Sequence, residues 1–136
     1  MSEPNVERFM THDPITITRD QSLNRARRLM RTHFIRHLPV VHDGRLVGII
    51  SQRDLFNFDR LTEINQNYLL VGEVMTRAPY TVGRLSPLRE AAEQMASRRC
   101  GSAVVVEGDR VVGLLTSTDA LRALSVVLGE QPSATA

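Results

Sequence analysis

One cysteine and no tryptophan stand in this 136-residue chain, and aromatic residues make up only 4% of it. A single thiol, Cys100, cannot close an internal disulfide, which suits a reducing compartment. Placed just before an apolar run that starts at Gly101, it reads as a small apolar residue rather than a reactive thiol. With so few rings, the core must be built from Val, Leu, Ile, Ala and Met, which a hydrophobic share of 42% supplies. No apolar run approaches the length of a membrane span, and the opening MSEPNVERFMT lacks the apolar segment of a signal peptide, so the expectation is a cytoplasmic protein with no membrane contact. An excess of one charge is also missing. The formal net charge is +2, too small to argue for a polyanionic partner. Neither a P-loop, a nucleophile elbow, an HExxH pair nor a cysteine cluster occurs.

What is present is a pattern written twice. Residues 36–54, RHLPVVHDGRLVGIISQRD, read as a strand, a tight turn at Asp43-Gly44, a second strand and the first turn of a helix. The same design returns 65 residues later as GSAVVVEGDRVVGLLTSTD, from Gly101 to Asp119. Setting residues 6–55 on residues 71–120 without a gap pairs 50 positions, of which 15 are identical. Among them are Met10/Met75, Thr11/Thr76, Pro14/Pro79, Leu23/Leu88, Ala26/Ala91, Met30/Met95, Gly48/Gly113 and Asp54/Asp119. This is internal duplication. A chain of this length has room for one ordinary domain, so the two repeats are expected to share one core.

Each repeat begins with a short turn, at Val6–Met10 and Val71–Met75, after which Pro14 and Pro79 call for extended backbone. Short strands follow at residues 15–17 and 80–82, then helices with an apolar stripe of Leu23, Ala26, Met30 or Leu88, Ala91, Met95. Ser86 is a candidate cap with Pro87 at the first helical position, whereas Asp20 and Ser22 compete in the first copy. Further helices follow each hairpin, from Gln52 to about Asp59 and from Ser117 to about Leu128. The division is thus repeat one at 6–58, a surface connector at 59–70, repeat two at 71–128 and a disordered tail at 129–136. Arg25, Arg27, Arg28 and Arg31 spread around the first long helix with no aromatic side chains between them, which describes a solvated face better than a nucleic-acid stripe. His33 and His37 stand four apart, but helix gives way to strand between them, so no metal site is expected.

The chemistry concentrates at the end of each hairpin. Ser51 and Asp54, and Thr116 and Asp119, place a hydroxyl and a carboxylate at the entry of a helix, beside its unpaired N–H groups. The spacing is that of a helix cap and also that of a polar ligand site, and one hydroxyl can serve both.

Laid out in this way, FMTHDPITIT, the helix, and IRHLPVVHDGRLVGIISQRDL resemble a cystathionine β-synthase (CBS) domain, and VMTRAPYTV through GSAVVVEGDRVVGLLTSTDAL is similar to a second one. The two copies cover nearly all of the chain, which looks like a stand-alone tandem CBS pair, or Bateman module. The resemblance implies an α/β (α+β) fold of two β-α-β-β-α repeats packed about a pseudo-twofold axis as one module. It implies a regulatory sensor rather than an enzyme, with no catalytic cofactor, binding AMP, ADP, ATP or S-adenosylmethionine in clefts between the repeats. Carried over by motif, Asp54 and Asp119 would take the ribose hydroxyls, and Ser51 and Thr116 would sit near ribose or phosphate. Thr16, Ile17, His37, Leu38 and Pro39 would flank the base in one copy, and Thr81, Val82, Ser102, Ala103 and Val104 in the other. Arg53 would add a phosphate contact where its counterpart, Thr118, offers only a hydroxyl. The resemblance also implies a homodimer formed through helices, with Leu55, Phe56, Leu121 and Leu124 as apolar surface. A partner enzyme or transporter would receive the signal. A ligand-independent interaction adaptor and, more weakly, nucleic-acid binding through the arginine-bearing helix are the alternatives.

Overall fold

The computed structural model describes residues 3–61 and 68–130. β-branched runs on either side of a turn pair close the hairpin of β3 (His37–His42) and β4 (Arg45–Ser51), with Asp43 and Gly44 at φ of 51° and 77°. Those two positive angles are what a two-residue hairpin turn requires. The second copy forms β7 (Ser102–Glu107) and β8 (Arg110–Thr116). Ahead of each hairpin a short strand, β2 (Ile17–Thr18) or β6 (Thr81–Val82), lies parallel to β3 or β7. It reaches that position through a crossover helix, α2 (Leu23–His33) or α5 (Leu88–Arg98), whose Leu-Ala-Met stripe is buried against the sheet. After the hairpins come α3 (Gln52–Leu61) and α6 (Ser117–Glu130).

The leading segments do not stay with their own repeats. Helix α1 (Val6–Phe9) is followed by β1 (Thr11–His12), which pairs antiparallel with β8 of the second copy. Helix α4 (Val71–Val74) is followed by β5 (Thr76–Arg77), which pairs with β4 of the first. The result is two four-stranded sheets, ordered β1-β8-β7-β6 and β2-β3-β4-β5. Equivalent hydrogen bonds dock the exchanged helices: Val6 N–H donates to the Ser86 carbonyl at 2.9 Å, and Val71 N–H to that of Gln21 at 2.8 Å.

The expectation of a single shared core is therefore corrected. One core gathers Val6 and Met10 with Leu88, Ala91, Met95, Ala103, Val105, Leu115 and Ala123. The other gathers Ile17, Leu23, Ala26, Met30, Leu38, Val40, Ile50 and Leu55 with Val71. Each is completed by residues of the other repeat, so the module is held together by exchange. Leu46 N–H also donates to the Asp109 carbonyl at 2.9 Å, tying one hairpin to the other.

The exchange explains a pair of repeated identities. A Cβ at Gly48 would lie 2.5 Å from Met75 Sδ and 2.8 Å from the Thr76 carbonyl oxygen, and one at Gly113 would strike Met10. Each glycine is the seat of the other repeat's methionine. Met75 can rotate, but the Thr76 carbonyl is held by the β4–β5 ladder, so Gly48→Ala will cost about 1–3 kcal/mol through overpacking. Urea unfolding will show this as a lowered midpoint, and an unchanged midpoint would contradict it.

Other expectations change locally. Asp13 and Ala78, which precede the prolines, take positive φ of 46° and 53° instead of extended backbone. The chain must turn there from the borrowed sheet back to its own. Ser22 caps α2, accepting from Arg25 N–H at 3.2 Å. Ser86 does not cap α5: its hydroxyl accepts from Gly83 N–H at 3.0 Å, and Pro87 occupies the cap position rather than the first helical one. Leu55 is only 3% exposed and belongs to the core, leaving Phe56, Leu121 and Leu124 as outward apolar positions. Gly129 and Glu130 form the end of α6, and the rest of the expected tail, like residues 62–67 of the connector, lies outside the described residues. Arg27 forks onto Asp59 with hydrogen bonds of 2.9 and 2.7 Å, so it pins α2 to α3 and is not available to a phosphate backbone.

Candidate functional site

Both helix entries are capping boxes with aspartate in the third position. Ser51 N–H donates to Asp54 Oδ2 at 2.9 Å, and Asp54 N–H returns a bond to Ser51 Oγ at 3.0 Å. Thr116 N–H donates to Asp119 Oδ2 at 2.9 Å, and Asp119 N–H to Thr116 Oγ1 at 3.3 Å. The cap engages Oδ2 in each case, so the carboxylate is oriented by the fold with its charge beside a helix N-terminus, where the dipole favours an anion. Its second oxygen points elsewhere, and in that oxygen the two copies differ. Asp119 is nearly buried, at 6% exposure, and its Oδ1 accepts from Arg122 at 3.2 Å. Asp54 is half-buried, and among the described residues its hydrogen bonds all fall on Oδ2.

Strand register brings the remaining candidates toward these carboxylates. His37 lies opposite Ser51 across the β3–β4 ladder, and Ser102 opposite Thr116 across β7–β8. Ile17 pairs with Val40, three residues along β3 from His37, hence about 10 Å away. Thr81 pairs with Val104, two residues from Ser102. Thr16 and Thr81 thus stand along the sheet from the carboxylates, with Val82 beyond. Ile17, Leu38 and Ala103 turn their side chains into the cores, and Pro39 and Val104 are fully buried. These five have backbone, not side chains, to offer a cleft. The Pro39/Val104 difference has a local consequence: Val104 N–H donates to the Tyr80 carbonyl at 2.9 Å, a bond that proline cannot make. Arg53 and Thr118 are both exposed on the first turns of α3 and α6.

Two further residues come from the opposite repeat. Thr76 Oγ1, on the borrowed strand β5, lies 3.5 Å from Asp54 Oδ2. Gly101 faces His37 so closely that a Cβ there would come within 2.9 Å of His37 Nε2. The Asp54 end of the first sheet is therefore walled by the second repeat. Thr76 had a signal in the repeated Thr11/Thr76 pair, but only the strand exchange brings it to Asp54.

Burial at this contact lowers the pKa of His37 from its ordinary 6.5; Asp54 opposes the shift, while Arg36 and Arg53 add to it. A histidine whose folded value is depressed stabilises the fold fully above the unfolded pKa of 6.5, and that contribution is lost as pH falls through the folded value. Melting temperature between about pH 8 and about pH 5 will therefore fall more steeply in the wild type than in His37→Gln, with the curves diverging on the acid side. Parallel curves would contradict this assignment. Among the described residues no three His, Cys, Asp or Glu side chains cluster as metal ligands, and no helix is long and apolar enough to cross a membrane.

The CBS domain family matches the chain twice, over residues 6–60 and 71–126. An inosine-5'-monophosphate dehydrogenase of Korarchaeum cryptofilum is 38% identical over 114 residues, which cover 83% of this chain but only 23% of that enzyme. A CBS domain-containing protein of Dictyostelium discoideum is 33% identical over 140 residues, covering 93% of this chain and 95% of the relative. Among solved structures, the CBS domain pair of protein MJ0100 in complex with 5'-methylthioadenosine and S-adenosyl-L-methionine superposes with a TM-score of 0.84 at 30% identity, over 93% of this chain and 99% of that one. CBSX2 in complex with AMP gives a TM-score of 0.80 at 27% identity, over 91% and 98%. Matched over both repeats and sharing the fold of these pairs, the chain belongs to the CBS domain family and carries two copies of that domain.

Proposed function

We propose that this CBS pair is a regulatory module that binds an adenosine-containing ligand at the clefts between its repeats and passes the bound state to a partner protein. The observation that carries the reading is the duplicated carboxylate, oriented by its cap at a helix entry, with the second repeat walling the Asp54 site. An ionised carboxylate is a pure acceptor suited to the two donors of a ribose cis-diol, and the adjacent helix N-terminus suits a phosphate. AMP in CBSX2 and the two adenosyl ligands in the MJ0100 pair support the ligand class. Asp54 is assigned to ribose, Ser51 and Arg53 to ribose or phosphate, and His37 to the cleft wall, with Asp119, Thr116 and Ser102 as their counterparts by duplication. Catalysis is not part of the proposal.

Signalling needs a surface, and α6 has one. Leu121, Leu124 and Leu128 are exposed at 67%, 54% and 57% and recur at helical spacing, with Phe56 of α3 also outward at 60%. A second copy of the chain, or the regulated enzyme or transporter, would dock there. This same stripe favours the adaptor as the second reading, in which docking alone matters. Equilibrium dialysis of the full chain against AMP, ADP, ATP and S-adenosylmethionine separates the two. Saturable binding of at least one ligand, changing little between low and moderate salt, is expected, whereas binding to a phosphate backbone weakens steeply. Binding of none would leave the adaptor reading in its place.

A further inference from the structure

The two clefts are built from one duplicated motif, yet the residues that face them carry different charge. His37 has Asp54, Arg36 and Arg53 as its charged neighbours, the Arg36 carbonyl accepts from Gln52 N–H at 2.8 Å at the helix entry, and among the described residues neither arginine has an ion pair. The counterparts around Asp119 are Gly101, Ser102 and Thr118, all without charge. At the second cleft Arg122 Nη1 donates to Asp119 Oδ1 at 3.2 Å while the cap and the Thr116 hydroxyl hold Oδ2. Both oxygens of that nearly buried carboxylate are thus engaged within the protein. Arg122 is replaced by Asn57 in the first copy, and Asp54 keeps Oδ1 clear of any described donor.

We propose that the chain takes one phosphorylated adenosine ligand, in the Asp54 cleft, and that Arg122 closes the Asp119 cleft by occupying the carboxylate that a ribose would need. This rests on the adenosyl-sensor reading above and adds to it the ligand's charge class and its stoichiometry. A cis-diol must find an acceptor, and at Asp119 it would have to displace a charge-assisted bond that already satisfies the anion. A phosphate entering beside Asp54 meets Arg36 and Arg53 unpaired, whereas beside Asp119 it meets hydroxyls and an Arg122 already paired with the carboxylate.

Isothermal titration calorimetry on the full chain tests this with two probes, AMP and adenosine. The wild type is expected to bind one equivalent of AMP, with adenosine weaker by about tenfold or more through loss of the charged contacts. Asp54→Asn should remove that binding, while Asp119→Asn should leave it. Arg122→Gln should raise the stoichiometry to two adenosyl equivalents. The reciprocal Asn57→Arg, which installs at Asp54 the blocking arginine of the second copy, should weaken AMP by about tenfold or more. Because Asn57 is exposed, that variant tests the idea even where Arg122→Gln disturbs the fold, and melting without ligand checks both. Two equivalents in the wild type, equal affinity for AMP and adenosine, or loss of binding in Asp119→Asn alone would overturn the inference and leave the adenosyl reading standing. No heat or saturation with either probe in any variant would overturn both.

Discussion

A chain that begins at Thr11 will unfold its second repeat first, although the deletion lies at the edge of the first. Val6 and Met10 are 0% and 7% exposed, and both are packed against Leu88, Met95, Val105 and Leu115. Burying side chains of this size contributes about 1.5–3 kcal/mol each, so losing the pair removes about 3–6 kcal/mol from a domain whose total stability is typically about 5–15. The deletion also strips the 2.9 Å bond from Val6 to Ser86, the 3.0 Å bond from Glu7 to Arg84 and the 3.0 Å bond from Leu88 N–H to the Pro4 carbonyl. Strand β1 remains but loses the α1 segment that docks it, so its pairing with β8 at Gly113 and Leu114 is weakened. Hydrogen exchange will accordingly accelerate in α5, β7 and β8 well before it does in α2, β3 and β4. Loss of protection confined to the first repeat would contradict the exchanged architecture.

The hairpins and the long helices were legible because each carries its own local signal. Asp43-Gly44 sits between two β-branched runs, and the Leu-Ala-Met stripes keep helical spacing. The capped carboxylates were legible because they occur twice in one frame. Exchange was not, since Thr11-His12 and Thr76-Arg77 are too short to show a period, and Met10 and Met75 are identical, so neither states which repeat it serves. Thr76 beside Asp54 was hidden for the same reason. At Ser86-Pro87 the local signal for a cap was real, but the Gly83 N–H captured the hydroxyl. Leu55 and Phe56 are neighbours of equal hydropathic weight, and only the packing of α3 against the first sheet decides which one goes inside.

Asp54→Ala will separate ligand from cap. If AMP binds with a dissociation constant of about 10 μM, about 1 mM ligand adds about 2.7 kcal/mol of stability. For a chain of this size that is a rise in melting temperature of about 8 °C. Removing the Asp54 carboxylate also breaks the bond it accepts from Ser51 N–H, which costs about 1 kcal/mol whether or not ligand is present. The variant should therefore melt a few degrees low without AMP and show no further rise with it. Asp119→Ala should lose cap stability, through Thr116 and Arg122, and still respond to AMP. A residue that only capped its helix would shift the baseline and leave the AMP response intact.

On the reading proposed above, Asp54 is the carboxylate that holds the adenosyl ligand. Thermal melting of the wild type and Asp54→Ala, each with and without about 1 mM AMP, tests it most directly. A rise of about 8 °C is expected in the wild type and none in the variant. An equal rise in both would place the ligand elsewhere and contradict the claim.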